Sequence, residues 1–382
     1  MKYKSGKNAV LIISSSFLPS TGGVQTHLDD LCRYLRSANQ KYFVVTCQPD
    51  NPKVRGKFIE RSEYFLILRM PIFGKNALCL TRLKFFYENL LLFIGSFFIL
   101  LRYHSQIRTV HGHGFAFCLK PLKLIFPSKK FLISTHNLYH FRKHGKIRNA
   151  IVRWALFSND FILAVSQQSR NELIEAGFNS EKIMVFNQWV NQKKFKPLDK
   201  TFAKKQLGWQ GRFIVLFVGR FEPEKGAGLF MQVADVVANE ITFAFIGDGP
   251  MYEQIKHQAS IRGNVIFVGK VKNEDIPFYL NAADILVVPS QWDDPRPRVI
   301  LEALACGLPV IATNRGGIAE TVNSGVGLLV SPPEKDVENI SEAIEELYNN
   351  RDKLRCFSEN AVALINEKYS LKNANLIVNS YS

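Results

Sequence analysis

Residues 284–320 constrain this chain more than any other stretch. The apolar run Ile285 to Val288 has the length of a buried strand and ends at Pro289-Ser290. A polar loop follows, Gln291-Trp292-Asp293-Asp294-Pro295-Arg296-Pro297-Arg298, and an apolar helix opens at Val299 with Glu302 in its first turns. A second strand, Pro309 to Ala312, runs into Asn314-Arg315-Gly316-Gly317. Strand, helix and strand within about 30 residues make a βαβ unit, and such units take ligands at the carboxyl ends of their strands. Pro297 suits the first helical position, where a missing N–H costs nothing. The amides of Arg298 and Val299 then face an anion, flanked by the carboxylates of Asp294 and Glu302. The pattern predicts a site for a phosphorylated sugar compound.

The same alternation fills the chain. Strand-length apolar runs lie at Ala9–Ile13, Phe43–Thr46, Tyr64–Met70, Thr109–His111, Phe131–Thr135, Phe161–Val165 and Ile183–Phe186. A second set lies at Phe213–Val218, Thr242–Ile246, Val265–Phe267, Ile285–Val288, Pro309–Ala312 and Gly327–Val330. Helical patterns separate them, among them a stripe at Val24, Leu28, Leu31 and Leu35 and an acidic amphipathic stretch from Asp336 to Tyr348. This is the signature of α/β layers with parallel sheets. With 382 residues, two domains of about 150–200 residues fit better than one core. The basic stretch Lys193 to Lys205, with Pro197, reads as the linker.

Charge is divided between the halves. Residues 1–190 carry 27 Lys and Arg against 10 Asp and Glu, a net +17, whereas residues 191–382 carry 22 against 23, a net −1. One half is therefore expected to meet an anionic partner. The six cysteines, Cys32, Cys47, Cys79, Cys118, Cys306 and Cys356, form no CxxC pair and read as free thiols of a reducing compartment. Met1-Lys2-Tyr3-Lys4 precedes an apolar run, Ala9 to Ile13, too short for a signal peptide. The longest uncharged apolar run, Leu90 to Leu101, is shorter than the ~18 residues of a membrane span. It reads either as a buried helix or as one lying at a bilayer surface.

Other strand ends carry chemistry. Pro19-Ser20-Thr21-Gly22-Gly23 leads into a helix, where glycines let backbone amides approach a diphosphate. Gly219-Arg220-Phe221-Glu222-Pro223-Glu224-Lys225-Gly226 sets a guanidinium and an ammonium at a strand's carboxyl end, a fork and a point charge for phosphate oxygens. In Gly247-Asp248-Gly249-Pro250 the glycines read as structural and Asp248 as the next helix's cap. Lys270, after Phe267-Val268-Gly269, is expected to face a nucleotide base. His111, His113 and His136 close two strands. With no carboxylate or Cys at ligand spacing nearby, His111 and His113 read as satisfied polar histidines rather than metal ligands, and no nucleophile elbow marks a hydrolase. Phe141 to Phe157, with Arg142, Lys143, Lys146, Arg148, Arg153 and Trp154, is open to two readings: a solvated face over core aromatics, or an anchor on an anionic membrane or polyanionic acceptor.

Taken in order, these motifs resemble retaining glycosyltransferases of family 4, which have the GT-B fold. The resemblance runs nearly end to end, through Gly22-Gly23-Val24-Gln25-Thr26-His27, Val218-Gly219-Arg220, Glu224-Lys225-Gly226, Ile246 to Pro250 and Val287 to Ser290. Its most specific block is Leu301-Glu302-Ala303-Leu304-Ala305-Cys306-Gly307-Leu308-Pro309-Val310. It implies two facing Rossmann-like domains with an interdomain cleft: residues 1–190 for the acceptor, residues 191–366 for the donor, and a helix in 367–382 packing back on the first domain. It also implies roles. Arg220 and Lys225, helped by Gly22 and Gly23, hold the donor diphosphate. The amides of Arg298 and Val299 complete the cradle, Glu302 binds ribose, Asp294 lies by the sugar hydroxyls, His136 lies near the anomeric carbon and Gln25 faces the acceptor. No metal or other cofactor is expected, because Arg220 and Lys225 take that part. Two positions depart from the family's pattern: Asp294 stands where Glu is usual, and Trp189 stands where Gly is usual in Gln188-Trp189-Val190-Asn191.

The resemblance predicts a cytoplasmic enzyme, peripheral to a membrane, that moves a sugar from a UDP- or GDP-linked donor to a glycan or lipid-linked glycan with retention, in surface-polysaccharide assembly. Residues 1–190 are expected to dock on anionic lipid. The rivals are a phosphorylase or inactive sugar-nucleotide binder on the same fold, and a nucleic-acid-binding protein. The last lacks any recognition helix or aromatic RNA-binding signature, so no nucleic-acid partner is expected.

Overall fold

A computed structural model describes residues 9–381 apart from 21, 52–53, 73–80, 115, 143, 239 and 332–334. Met1–Lys4, Thr21, Cys79 and Lys143, which figure in the sequence expectations, lie outside the described residues. The chain divides into two compact units, residues 1–188 with 373–382, and residues 189–372.

The first unit runs β1 (Ala9–Ser14), α1 (Gly23–Ser37), β2 (Tyr42–Cys47), β3 (Ile59–Arg61), β4 (Phe65–Met70), α2 (Thr81–Arg102), β5 (Ile107–His113), α3 (Leu119–Ile125), β6 (Lys130–Thr135), α4 (Lys146–Leu156), β7 (Phe161–Ala164), α5 (Gln167–Glu175) and β8 (Ile183–Val185). Its strands lie in the order β3-β4-β2-β1-β5-β6-β7-β8, all parallel except β3, which pairs antiparallel with β4 at the edge. Continuous apolar runs such as Ala9 to Ile13 are what a parallel strand needs, because both of its faces are covered. Alternate residues Leu11, Ile13, Phe43 and Val45 form one core with Leu92 and Leu100 of α2, Leu119 and Leu122 of α3, and Val152 and Leu156 of α4. The β1–β2 crossover runs the other way along the sheet, so right-handedness sends α1 to the opposite face. There it buries Leu28, Leu31 and Leu35.

The second unit runs α6 (Lys200–Leu207), β9 (Phe213–Val218), α7 (Ala227–Val236), β10 (Ile241–Ile246), α8 (Tyr252–Ser260), β11 (Val265–Gly269), α9 (Ile276–Ala282), β12 (Ile285–Val288), α10 (Arg298–Ala305), β13 (Val310–Thr313), β14 (Gly327–Val330), α11 (Asp336–Asn349) and α12 (Arg351–Lys368). Its six strands lie in the order β11-β10-β9-β12-β13-β14. One face packs Val215, Phe217 and Phe243 against Phe230 of α7 and Ile344 of α11. The other packs Leu216, Leu286 and Ala312 against Leu280 of α9, Leu301 of α10 and Ile365 of α12.

Two segments differ from the sequence reading. Lys193–Lys205 is no linker: Phe195 and Ala203 are buried in the second unit's core, and Asp199 caps α6 by accepting from the Phe202 amide. The chain crosses between the units at 188/189 instead, beside the fully buried Trp189. At the other end, Ile365 and Tyr369 hold α12 in the second core, and only from Asn373 does the chain belong to the first unit. There α13 (Ala374–Asn379) buries Ala374 and Ile377, and Tyr381 ties to β5 by its carbonyl, which accepts from Thr109 Oγ1 at 2.9 Å, and by its hydroxyl, 2.8 Å from His111 Nδ1.

Candidate active site

In an open parallel sheet, ligands bind where successive crossovers diverge, outside the carboxyl ends of the two strands concerned. In the second unit that point lies between β9 and β12, since β9, β10 and β11 build outward on one side and β12, β13 and β14 on the other. The loops leaving β9, β12 and β13 meet there. The Gln291 amide donates to Glu224 O at 2.8 Å, and the Gly317 amide donates to Asp294 O at 2.8 Å. Lys225 Nζ, at the end of the β9 loop, lies 2.5 Å from Asp294 Oδ2 in the β12 loop and 5.1 Å from the centre of the Trp292 ring. Asp294 is buried, and Lys225 is partly exposed.

Glycine makes this convergence possible at two points. Gly226 has φ +76°, and a Cβ there would stand 1.9 Å from Pro289 O. Gly316 has φ +61°, and a Cβ there would stand 2.2 Å from Asp294 O. Neither conformation nor spacing admits a side chain.

Behind the Lys225–Asp294 pair stands the N-terminus of α10, which begins at Arg298 with Pro297 as its cap. Pro297 was expected one position later, as the first helical residue. Its ψ of 119° keeps it extended, and the Ile300 amide already bonds back to Pro297 O. The first amides of a helix have no acceptor within it, so Arg298 and Val299 present N–H groups where the helix dipole favours an anion. Glu302 follows one turn on, with Oε1 3.8 Å from Arg298 Nε, both side chains largely buried.

The remaining candidates of this unit lie further out. Arg220 is well exposed and pairs with Glu222 at 2.9 Å. Lys270 pairs with Asp248 at 2.9 Å on the surface, and the Lys270 ammonium draws the Asp248 carboxyl below its ordinary range. Asp248 therefore does not cap α8, whose N-cap is Met251. Its other oxygen accepts from the Gly249 amide instead. Sequence reasoning missed Trp292 and Arg296. Arg296 is buried against Glu320 at 2.9 Å, and its signal was a charged residue inside a loop already assigned to the site.

The first unit's crossovers diverge between β1 and β5. Gly22 caps α1, and Gln25 Nε2 donates to Ser16 Oγ at 2.6 Å across the loop after β1. The strand ends beside it carry a buried histidine group. His111 bonds through both ring nitrogens, to the Tyr381 hydroxyl and to Ser134 Oγ, each at 2.8 Å. His113 Nδ1 lies 3.0 Å from His136 Nε2, and His27 of α1 stacks edge-on to His136 with ring centres 5.3 Å apart. One nitrogen from each of His27, His113 and His136 lies within 4.8 Å of the others, close enough for the three to hold a metal ion. His27 escaped notice as a partner because α1 brings it in from 84 residues before His111.

Burial keeps His111 and His113 neutral. It lowers His111 to about 3 and His113 well below the ordinary 6.5, with neighbouring imidazoles adding to the effect. The unfolded chain takes up these protons near 6.5 and the folded chain does not, so stability is full above that pH and falls below it. Each histidine contributes about 1.4 kcal/mol per pH unit to the slope. Urea titrations from neutral down to about pH 4 are expected to show the decline, and His111→Gln to flatten it by one histidine's share. An unchanged slope in that variant would mean that His111 titrates normally.

A doubly wound sheet that offers an ammonium and a helix N-terminus at its switch point, joined in one chain to a second such sheet, is the architecture of GT-B sugar-transfer proteins. Residues 21–194 match the Glycosyltransferase Family 4 profile, and residues 199–363 match that of Glycosyl transferases group 1. The chain belongs to the group 1 glycosyltransferases, family 4, with the GT-B fold. It is 24% identical over 364 residues to the phosphatidylinositol N-acetylglucosaminyltransferase gpi3 subunit of Schizosaccharomyces pombe, covering 91% of this chain and 75% of that one. Its fold matches that of sucrose-phosphate synthase from Thermosynechococcus elongatus with a TM-score of 0.82 at 20% identity, over 98% of both chains. HepE of Anabaena in complex with UDP-glucose matches with a TM-score of 0.77 at 19% identity, over 97% of this chain and 98% of that one.

Proposed function

We propose that the chain transfers a sugar from a nucleoside-diphosphate sugar, UDP- or GDP-linked, to a glycan or lipid-linked glycan with retention of anomeric configuration. The setting is cell-surface polysaccharide assembly at the cytoplasmic face of a membrane. The observation that carries this reading is the Lys225–Asp294 pair at the β9/β12 switch point, in the loop that leads into the N-terminus of α10. An arriving diphosphate competes with Asp294 for the Lys225 ammonium and frees the carboxylate for the sugar hydroxyls. Arg220 closes on the phosphates from outside, Glu302 takes the ribose and Lys270 the base. In the first unit we assign Gly22 and Gly23 to the diphosphate, Gln25 to the acceptor and His136 to the anomeric carbon.

As the anomeric C–O bond breaks, negative charge grows on the departing diphosphate, and fixed cations and amides stabilise it there. The acceptor oxygen attacks from the same face, and its proton passes to the departing phosphate oxygen. Arg220 and Lys225 supply the positive charge, so turnover is expected to survive EDTA. The test is a thermal-shift screen against UDP, GDP and ADP, since a ligand at 100 times its Kd stabilises the folded state by about 2.7 kcal/mol. It is paired with assay of free nucleoside diphosphate released from nucleotide sugars. HepE's complex makes UDP the first to try. No shift with any nucleotide and no release from any donor would overturn the reading.

A further inference from the structure

Three separate segments build the histidine group of the first unit. His113 is the last residue of β5, His136 directly follows β6, and His27 comes from the first turns of α1. The buried face of α1 that carries Leu28, Leu31 and Leu35 turns His27 inward with it, and all three imidazoles are buried. Of the two strand-end histidines expected to be satisfied, only His111 is, through Tyr381 and Ser134. His113 Nε2 has no hydrogen-bond partner among the described residues. Buried polar atoms are nearly always paired, and one that is not calls for a cause such as a bound ion. The bond between His113 and His136 uses one nitrogen of each ring and leaves His113 Nε2 unexplained. The spacing fits an ion as well. A tetrahedral site with metal–nitrogen bonds of about 2.0–2.1 Å sets its ligand nitrogens about 3.3 Å apart. His113 Nδ1 and His136 Nε2 stand 3.0 Å apart, and one nitrogen from each of the three rings lies within 4.8 Å of the others. A contraction of at most about 1.5 Å, on the scale of side-chain adjustment, makes them three corners of that tetrahedron.

We infer that His27, His113 and His136 form a binding site for a divalent transition-metal ion of the zinc type, and that the bound ion withdraws His136 from sugar transfer. The second half rests on the assignment of His136 to the anomeric carbon, and the first half does not. The donor set selects the class of ion. Imidazoles suit Zn²⁺, Co²⁺, Ni²⁺ and Cu²⁺, whereas Mg²⁺, Ca²⁺ and Mn²⁺ take oxygen ligands, and among the described residues no carboxylate joins the three rings. Ligation takes the neutral imidazole, the form in which burial holds His113. Three protein ligands leave the fourth corner to water or to an oxygen of another ligand. An imidazole nitrogen that gives its lone pair to a metal can no longer accept a proton or a hydrogen bond, so His136 held in this way is lost to the reacting sugar. Lys225 and Arg220 are assigned the diphosphate charge without a metal, so the ion inhibits transfer rather than supporting it.

The test uses the whole chain without a histidine tag, stripped with EDTA and dialysed. Co²⁺ is the first probe. One equivalent is expected to give the visible absorption of a four-coordinate nitrogen and oxygen site, without the near-ultraviolet band of a thiolate ligand. Zn²⁺ is expected to displace it and to raise the melting temperature. His27→Asn and His113→Asn each remove one ligand. Each is expected to lose more Zn²⁺ affinity than the about 10–100-fold that a hydrogen-bond partner of a metal ligand is worth. His257→Gln, at an exposed position of the second unit, is expected to keep the parent's affinity. A parent without the four-coordinate Co²⁺ spectrum overturns the site before any variant is made. So does a thiolate band, or parent-like Zn²⁺ affinity in either Asn variant. Turnover is then read as nucleoside diphosphate released, scaled to each protein's own metal-free rate. Saturating Zn²⁺ is expected to lower it at least about tenfold in the parent, with recovery on adding EDTA, and to leave the scaled rate of the Asn variants unchanged at the same concentration. Undiminished turnover with Zn²⁺ on the three histidines would overturn the inhibitory half. Zinc binding with no release from any nucleotide sugar refutes the transfer reading alone, and transfer without zinc binding refutes the metal site alone.

Discussion

Lys225→Ala is expected to lower transfer about 10²–10³-fold, the range for removing one preorganised charge-stabilising group from an active site. The ammonium is held at the switch point before any ligand arrives, by Asp294 at 2.5 Å and by the Trp292 ring, so a diphosphate has only to displace Asp294 from a cation already in place. The substitution also has a cost in stability, because Asp294 is 4% exposed and loses its counter-ion. Breaking a buried pair costs about 3–5 kcal/mol, and the partial exposure of Lys225 puts the expected loss below that range. Two further variants separate the effects. Lys225→Ala/Asp294→Asn removes the orphaned charge and is expected to recover the melting temperature without recovering turnover. Lys225→Arg keeps the charge and is expected to keep nucleotide binding. Full turnover by Lys225→Ala would remove this lysine from the proposed site.

Gly226→Ala is expected to be more damaging than its single methyl suggests. At φ +76° a residue with a Cβ costs about 1–2 kcal/mol in backbone conformation alone. The added carbon would also fall 1.9 Å from the main-chain oxygen of Pro289, and no rotamer can relieve an overlap with backbone. The β9 and β12 loops must part, and they carry Lys225 and Asp294. A total loss above roughly 3 kcal/mol in urea unfolding is expected, together with loss of nucleotide binding. Gly208→Ala is the control: its φ of +68° is equally left-handed, but a Cβ there meets nothing within 4 Å, so only the conformational cost of about 1 kcal/mol remains. Equal unfolding midpoints for the two variants would show that the loops separate freely.

Much of the fold was legible because parallel strands covered on both faces leave unbroken apolar runs. Phe213–Val218 and Ile285–Val288 match β9 and β12 residue for residue. Short or polar elements left no such trace. Strand β3, Ile59–Arg61, is an edge held by one neighbour, and β5 extends through Gly112 and His113 because burial of its histidines is arranged from other segments. Helix α6 hid in a run of lysines, since two buried side chains, Phe195 and Ala203, fix the segment while its charges remain in solvent. In the β9/β12 site, the glycines and cations at strand ends were visible as types. Their convergence was not, because it depends on strand order, and nothing local in the sequence states that β12 returns beside β9. The exposed face of α2, which carries Phe86 and Phe98, was equally hidden: apolar periodicity marks both sides of that helix, and only the packed structure shows which side has a partner.

The path of the chain has a consequence for its synthesis. The second unit is one uninterrupted stretch, whereas the first is completed by residues 373–381, whose Tyr381 supplies a partner for His111. The earlier-made half therefore waits with its β5 histidine half-satisfied until the later-made half has been synthesised. A nick or frameshift near the carboxyl terminus therefore injures the amino-terminal lobe, more than 250 residues upstream in translation order.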